Sequence, residues 1–438
     1  MVSGSGTKEA QVELSLKWGS GYATCAIPKQ NSDLIIEAPV LTPIAGIQTA
    51  LEAVIENPAG TAPLRELIQP QDRVAIVTSD ITRLASRPDV TVPFLLRKLV
   101  SWGVPESNIT VIIATGTHRG QTPEERVRIV GEEAIKRFAV VDHDCHDAGA
   151  HTFLGTTSRG TPVHVNRAVA HADKTILTGG IEFHPFAGFG GGRKAICPGV
   201  SSYLTITTNH SLSLGTGDHL FAQNVEPGKL EGNPVSEDMA EIAAMVNPTF
   251  LLNSIVDQDA RIVELVGGDW RLAFRKGCER VRQLHAVEID HRSDVVVVGC
   301  GGYPRDVSYY QSAKGIFAAL AAVKDGGAIV LVSECRDGFG QQEVERWIEF
   351  PNLVSMRAAL AKEFSLGGYM AFRLLATAVR HPTYVVSTIS DELARKLGVT
   401  KVASIDEALS QIRARNGDGI KISVIPSGKQ VQPVVAGE

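Results

Sequence analysis

Segment 179–210 contains the residue types from which binding and catalytic sites are built. His184 and His210 each offer a proton acceptor near neutral pH or a ligand for a metal ion. Lys194 can neutralise an anion or act through its amine as a nucleophile. The same segment contains three consecutive glycines, Gly190, Gly191 and Gly192. Glycines in series let backbone N–H groups approach an anion closely, so the segment fits either a ligand site or a mobile glycine loop with two surface histidines.

Other polar residues follow short apolar runs that are typical of buried strands. The runs are residues 73–77, 109–114 and 174–177. The first is followed by Asp80 and Arg83, the second by His118, and the third leads to Glu182 and His184. Because the carboxyl ends of parallel strands meet at one edge of a sheet, we expect these side chains at a common rim.

Composition limits the class of protein. A chain of 438 residues is too long for one ordinary core, so at least two domains are expected. The net charge of −5 argues against a nucleic acid or an anionic membrane as the main partner. The chain has no run of 18 apolar residues and no apolar leader, and its six cysteines lack C-x-x-C spacing. We therefore expect a cytoplasmic protein with free thiols.

The order of apolar and amphipathic segments predicts an α/β fold. Two domains with mixed or parallel sheets flanked by helices are expected, with the active site in the cleft between them. The predicted division is residues 1–280 for the N-terminal catalytic and cofactor-binding domain, 281–415 for the C-terminal domain, and 416–438 for a tail returning to the first domain. In the second domain a helix is predicted over residues 309–323, with Gln311 and Lys314 on one face.

Several familiar motifs are missing, which narrows the function. The sequence has no G-x-x-x-x-G-K-[ST] and no G-x-S-x-G, and the glycines at 299–302 lack the full dinucleotide-binding spacing. The run 142–147 resembles a metal cluster by composition, but neighbours on an extended segment point to opposite faces, so a polar loop is favoured. What the residues alone support is proton transfer on a small anionic substrate, with or without one metal ion.

Six motifs occur along the chain in a fixed order. They are Asp80-Ile81-Thr82-Arg83, Gly116-Thr-His118, Glu182-x-His184-Pro185, Gly190-Gly191-Gly192-Arg-Lys194, Asn209-His210 and Gln311-x-x-Lys314. Together they resemble the nickel-dependent lactate racemase family, whose members interconvert the enantiomers of 2-hydroxy acids.

The resemblance implies a nickel-pincer nucleotide as cofactor, a pyridinium mononucleotide that holds nickel through one carbon and two sulfurs. It implies that His210 supplies the remaining nickel ligand and that Lys194 lies at the cofactor, where it can be joined covalently to one arm of the pincer. The remaining residues implied to hold the cofactor are Asp80, Ile81, Thr82, Arg83, Gly190, Gly191 and Gly192. Other proteins would have to make the pincer and supply it.

The same resemblance implies that His118 and His184 act as acid and base on opposite faces of the substrate. One removes the hydroxyl proton while hydride leaves C2 for the cofactor, which gives a 2-oxo acid intermediate. Return of hydride to the other face gives the other enantiomer. Arg83, Gln311 and Lys314 are implied to bind the substrate carboxylate.

Two departures from the family pattern bear on the substrate. Leu84 stands where a proline commonly follows the first motif, and residues 367–370 replace a late tryptophan of some lactate-specific members. The alternative substrates are larger 2-hydroxy acids such as sugar acids or hydroxydicarboxylates, with Arg87, Arg119 or Arg305 binding a second acid group. A cofactor-binding protein without turnover is a further alternative, although both histidines are present.

Overall fold

The computed structural model describes residues 10–217, 219–340, 342–428 and 431–437. The strands are, in chain order, β1 (Gln11–Trp18), β2 (Gly21–Pro28), β3 (Ser32–Ile35), β4 (Val74–Ser79), β5 (Ile109–Ala114), β6 (Ala139–Asp142), β7 (His151–Thr156), β8 (Pro162–Asn166), β9 (Lys174–Gly180), β10 (Phe183–His184), β11 (Gly188–Phe189), β12 (Phe250–Val256), β13 (Ile262–Gly268), β14 (Ala286–Ile289), β15 (Ser293–Gly299), β16 (Val323–Val332), β17 (Thr383–Val386), β18 (Thr400–Val402), β19 (Ile422–Ile425) and β20 (Gln432–Val435).

Helices connect most of these strands, as the sequence pattern predicts for an α/β protein. The α-helices are α1 (Ile47–Glu56), α2 (Leu64–Leu67), α3 (Pro88–Ser101), α4 (Pro123–Val130), α5 (Glu132–Arg137), α6 (Arg167–Ala170), α7 (Tyr203–Ser211), α8 (Pro234–Val246), α9 (Trp270–His285), α10 (Tyr309–Ala322), α11 (Gln342–Glu345), α12 (Leu353–Lys362), α13 (Leu366–Arg380), α14 (Asp391–Leu397) and α15 (Ile405–Asn416). Short 3₁₀ helices cover Ile81–Ser86, Glu106–Asn108, Ala148–Ala150, Gly192–Ala195 and Arg346–Glu349.

The chain divides into two compact units. One unit is Val40–Leu284, and the other combines the described residues up to Pro39 with those from His285 onward. The chain therefore leaves the unit that contains β1, β2 and β3 after Pro39 and returns to it at His285.

The unit Val40–Leu284 is built on a six-stranded sheet with the strand order β13-β12-β9-β4-β5-β6. Its strands are parallel except β13, which runs antiparallel to β12. Residues 74–78 of β4 are all buried, as expected for a central parallel strand that is covered on both faces. Thr122 caps α4 by accepting a hydrogen bond from the Glu125 N–H, and the Glu125 carboxylate accepts one from the Thr122 N–H.

The other unit contains a second six-stranded sheet, with the order β18-β17-β16-β15-β19-β3, and all of its pairings are parallel. Helix α10 follows β15 and is capped by Ser308, whose side chain accepts from the Gln311 N–H. Gln311 and Lys314 are both exposed, which confirms their predicted position on one face of this helix.

The division in the structure differs from the predicted one at both ends of the chain. Strand β3 pairs with β19, and β20 pairs with β14. The start of the chain and its tail therefore belong to the same unit as the residues from His285 onward. Leu16 and Ile27 of the first hairpin are buried in the core of that unit. The Asn31 side chain donates to the carbonyls of Asp418 and Ile420 at 2.6 and 2.9 Å. Partners so distant in sequence leave no local signal in the pattern of apolar residues.

Other expectations from the sequence concern cysteines and membrane spans. All six cysteines are free and buried, as predicted. Within the described residues, no helix has both the length and the apolar character needed to cross a bilayer.

Deletion of residues 1–39 should unfold the unit that contains β15 and β16 and leave the sheet of Val40–Leu284 intact. The deletion removes the buried Leu16, Cys25, Ile27 and Ile36, a loss on the order of 5 kcal/mol or more in the free energy of unfolding. Hydrogen exchange read by mass spectrometry should show fast exchange in peptides from β15 and β16. Peptides from β4 and β5 serve as the internal control, and slow exchange in both sets would contradict the observed division.

Candidate functional site

The ends of β4 and β5 bring Asp80 and His118 together. Asp80 is buried at the start of the 3₁₀ helix that follows β4, and its Oδ2 lies 2.6 Å from His118 Nδ1. Thr82 donates its hydroxyl to the other carboxylate oxygen at 2.7 Å. The meeting of these strand ends at one rim is confirmed, because β4 and β5 pair in parallel.

This contact defines the proton position on the His118 ring. A carboxylate accepts hydrogen bonds, so His118 Nδ1 donates and Nε2 is left to accept a proton. The His118 side chain is half exposed, whereas that of Asp80 is only 3 % exposed. An oriented imidazole next to a buried carboxylate is the arrangement of a general base.

His184 lies on β10, and its hydrogen bonds indicate the other tautomer. Its Nδ1 accepts from the backbone N–H groups of Phe186 and Ala187 at 3.4 and 3.2 Å. A nitrogen that accepts is unprotonated, so the neutral ring carries its hydrogen at Nε2. The two histidines that the sequence singles out are therefore not equivalent.

Arg83 follows Asp80 in the same 3₁₀ helix. Its Nη1 lies 3.7 Å from Glu182 Oε1, and the two side chains are 43 % and 52 % exposed. An ion pair this long and this exposed is weak. The Arg83 guanidinium can therefore exchange this partner for a ligand carboxylate.

The three glycines form a packed turn, which rules out the mobile-loop interpretation. Gly191 and Gly192 have φ values of 72° and 55°, and the Gly192 N–H donates to Asn253 Oδ1 at 2.9 Å. A Cβ at Gly192 would lie 2.3 Å from the Phe274 ring. Glycine is required here because any side chain would collide with that ring.

Two basic residues follow the glycines. Arg193 is buried, donates to the carbonyls of Ala187 and Ser236, and stacks on Phe274. Lys194 is partly buried. Burial, and to a smaller extent the charges of Arg83 and Arg193, lower the pKa of Lys194 to about 7. A large fraction of its amine is neutral near pH 7, which is the nucleophilic form.

His210 lies on α7 and is buried. Burial lowers its pKa to about 3, so the ring is neutral, as a metal ligand must be. The preceding Asn209 donates to the Asp238 carboxylate at 2.9 Å and to the Val235 carbonyl at 3.2 Å. These bonds connect α7 to α8 and hold His210 in place.

The Phe186 ring contacts several of the functional side chains, a role that was not predicted from the sequence. Its ring centroid lies 4.5 Å from that of His184 and 5.1 Å from that of His210. Lys194 Nζ lies 5.5 Å from the same centroid. Its position two residues after His184, before the glycines, is a signal that could have pointed to it.

The 142–147 run is a structural support, as predicted. His143 is buried, its Nε2 donates to the Ser201 carbonyl at 2.9 Å, and the Asn166 side-chain amide donates to its Nδ1 at 3.3 Å. Thr115, at the start of the loop that carries His118, donates its hydroxyl to the His143 carbonyl. In the described part of the chain, no three or more His, Cys, Asp or Glu side chains form a group that could hold a metal ion.

The three arginines considered for a second acid group differ in their partners. Arg119 is bound to Glu125 through two contacts of 2.7 Å, and Arg87 is bound to Asp89 in the same two-point manner. Arg305 lies against Gly301 and, among the residues that the structure describes, forms no ion pair. Arg305 is thus the one of the three that is not already held by a carboxylate.

The remaining predicted residues, Gln311 and Lys314, belong to the other unit. Their exposure on α10 fits ligand binding, and their contact with a substrate stays a prediction.

The oriented histidines, the partly neutral lysine and the buried neutral histidine have the side-chain chemistry that an acid-base site uses. Residues 18–219 match the lactate racemase N-terminal domain, and residues 289–432 match the lactate racemase C-terminal domain. The chain belongs to the lactate racemase family.

Similar proteins support this assignment over nearly the full length. The chain is 31 % identical to a lactate racemase of Lactiplantibacillus plantarum over 95 % of its length and 98 % of that protein. It is 33 % identical to a lactate racemase of Thermoanaerobacterium thermosaccharolyticum over 87 % of its length and 89 % of that protein. The structure of the lactate racemase apoprotein from the latter organism matches with a TM-score of 0.86 and 30 % identity, over 96 % of this chain and all of that one.

The buried His143 should make stability depend on pH. Burial lowers its pKa from 6.5 to about 4, so the unfolded chain binds a proton at a higher pH than the folded protein. Its contribution is fully present above pH 6.5 and is lost as the pH falls through 4, which amounts to about 3 kcal/mol. Urea unfolding at pH 7 and pH 4.5 should show a smaller pH-dependent change in His143→Gln than in the parent. The exposed His171→Gln is the control, and equal changes in parent and His143→Gln would contradict the expectation.

Lys194 should react with acetic anhydride at a lower pH than an ordinary lysine. Its amine loses a proton near pH 7, whereas the ordinary value is about 10.4. Acetylation of the apoprotein between pH 6 and 9, located by peptide mass spectrometry, should rise to a plateau by about pH 8. An acetyl-lysine amide added to the same tube gives the ordinary profile. A Lys194 profile that follows that standard would show that the amine is not perturbed.

Proposed function

We propose that this chain is a racemase of a short-chain, lactate-like 2-hydroxy acid that depends on a nickel-pincer nucleotide. The observation that carries the proposal is the pair of histidines with different tautomers, His118 with an unprotonated Nε2 that can accept a proton and His184 with Nε2–H as a hydrogen-bond donor. Racemisation at C2 needs an acid and a base on opposite faces. The names of the similar proteins support lactate as the substrate.

The donor set of this chain fits the proposed cofactor. The described residues offer no cluster of metal ligands, and they do offer the buried, neutral imidazole of His210. One protein ligand suits a metal whose other ligands come from an organic group. Lys194, with its lowered pKa of about 7 and a partly neutral amine, has the chemistry needed for a covalent bond to an acyl arm. Asp80 to Arg83 and the 190–192 turn are the proposed supports of the nucleotide.

When bound, the nickel-pincer nucleotide would supply the chemistry of reversible hydride transfer at C2 of the substrate. The protein supplies the proton transfers. His118, held in orientation by Asp80, accepts the hydroxyl proton at Nε2, and His184 in its imidazolium form gives its Nε2 proton to the oxygen when the oxygen faces the other side, which leaves a neutral ring. After one turnover His118 is protonated and His184 is not, which is the state needed for the opposite enantiomer. The half-exposed His118 can also reset its proton through solvent.

Binding of the substrate carboxylate is assigned to Arg83, Gln311 and Lys314. A guanidinium can form two parallel charge-assisted hydrogen bonds to a carboxylate, and the weak contact of Arg83 with Glu182 leaves it able to do so. A fixed carboxylate orients C2 for transfer to either face.

A larger substrate is the second candidate, and Arg305 favours it. This arginine has no ion-pair partner among the described residues, so it can bind a second carboxylate. Epimerisation or racemisation of a hydroxydicarboxylate or a sugar acid would use the same two histidines. A cofactor-binding protein without turnover is the third candidate, and both acid/base residues argue against it.

A chiral assay of enantiomer interconversion tests these candidates. The protein is produced together with cofactor-making enzymes, its nickel content is measured, and lactate, malate and gluconate are supplied as single stereoisomers. Interconversion of lactate alone supports the main proposal, and interconversion of malate that is lost in Arg305→Met supports the larger substrate. Bound nickel without turnover of any of the three would contradict both.

Variants of the three histidines should separate metal binding from proton transfer. His210→Ala should lose nickel, since it removes the proposed protein ligand. His118→Ala and His184→Ala should keep nickel and lose at least about a hundredfold in kcat, the usual contribution of a general acid or base. His291→Ala is a matched control, because its ring also contacts an aspartate, Asp33, at 3.0 Å. Full activity in either His118→Ala or His184→Ala would refute the two-histidine mechanism.

A further inference from the structure

We propose that Gln121 is a positioning residue for the acid/base pair, because its side-chain amide fixes the loop of His118 to the loop of Asp80. The amide has an oxygen that accepts and a nitrogen that donates, and the structure uses both atoms. Oε1 accepts from the Ile81 N–H at 3.1 Å, and Nε2 donates to the Arg119 carbonyl at 3.1 Å. The residue is 8 % exposed. One side chain thus binds the neighbour of Asp80 and the neighbour of His118.

The contact with Ile81 matters because of where Asp80 lies. An aspartate at the start of a helix ordinarily accepts hydrogen bonds from the first backbone N–H groups of that helix. Asp80 makes no such bond, and its two oxygens contact Thr82 Oγ1 and His118 Nδ1 instead. Gln121 accepts from the first of these N–H groups, that of Ile81, and the Asp80 carbonyl accepts from the third, that of Arg83, at 3.0 Å. The Asp80 carboxylate is thereby left for His118.

Gln121 is itself held in place from a third strand. Its backbone N–H donates to Asp142 Oδ2 at 2.6 Å, and Arg126 donates to the same oxygen at 3.0 Å. Asp142 is the last residue of β6, which pairs with β5. The ends of β4, β5 and β6 are therefore connected through one glutamine.

Loss of the amide should change the His118 ring rather than substrate binding. Without Gln121, the Asp80 carboxylate can turn to the backbone of its own helix, and His118 Nδ1 loses its acceptor. The neutral ring would then distribute its hydrogen between both nitrogens, and fewer molecules would present an unprotonated Nε2. Because Gln121 acts through Asp80 and His118, kcat should fall while KM changes little. This consequence for turnover rests on the proposed function.

The tautomer of His118 in the cofactor-free protein is the direct test. Histidine labelled with ¹⁵N reports the state of each ring nitrogen by NMR, and the His118 signals are identified by their absence from His118→Ala. The parent should show a protonated Nδ1 and an unprotonated Nε2. Gln121→Met, of similar size but without the amide, should show averaged signals. Gln121→Glu keeps the acceptor for the Ile81 N–H but loses the donor to the Arg119 carbonyl, so its signals should lie between those of the parent and Gln121→Met.

Two controls keep the outcome decisive. Gln411→Met removes an amide that binds Glu407 on an exposed helix face, and it should leave His118 unchanged. If Gln121→Met does not fold, as judged by thermal unfolding, Gln121→Asn replaces it, because the shorter amide cannot span both loops. A parent-like tautomer in a folded Gln121→Met or Gln121→Asn would overturn the proposal.

Turnover provides a second, separate readout. In the nickel-loaded enzyme, Gln121→Met should lower kcat by roughly tenfold or more, part of the usual contribution of a general base, and leave KM within about twofold. A fall in kcat/KM caused only by a higher KM would contradict a positioning role. The NMR result needs no cofactor and no substrate, so it judges Gln121 even if the parent protein has no racemase activity.

Discussion

The parallel pairing of β4 with β5 and β9 is the constraint on which the site depends. Parallel strands end at the same edge of a sheet, so the loops after them are neighbours although they are far apart in sequence. The hydrogen bond between Asp80 and His118 results directly from this geometry, and so does the contact of Arg83 with Glu182. A slip in the register of β4 would separate both pairs at once.

Removal of side chains from water is the second organising effect. His143, Lys194 and His210 all have lowered pKa values, and burial is the largest cause for each. The neutral forms of these three side chains serve different roles. Neutral His143 supports a loop, neutral His210 has the chemistry of a metal ligand, and neutral Lys194 has the chemistry of a nucleophile. The histidine pair is arranged differently, since its tautomers are defined by hydrogen-bond partners, a carboxylate for His118 and backbone N–H groups for His184.

The sequence predicts some features of the site and not others, for identifiable reasons. Residue types that carry chemistry, such as His118 and Lys194, are recognisable by motif, and apolar runs that end in polar residues indicate which strand ends carry them. The supporting residues are ordinary in sequence: Phe186 is one more aromatic, and Gln121 one more glutamine in a loop. Their roles come from contacts across strands. The same reason explains the misplaced ends of the chain, where β3 finds its partner β19 almost four hundred residues later.

The late pairing of β3 has a consequence for synthesis of the chain. Val40–Leu284 separates the hairpin β1–β2 and β3 from every other strand of their unit, so these segments leave the ribosome long before their partners exist. Strand β19, the neighbour of β3, is made only after residues 36–421. The unit Val40–Leu284 has its own complete sheet and can fold first, during translation. The other unit must wait until β19 has been released, and its first strands stay exposed to wrong pairings during that interval.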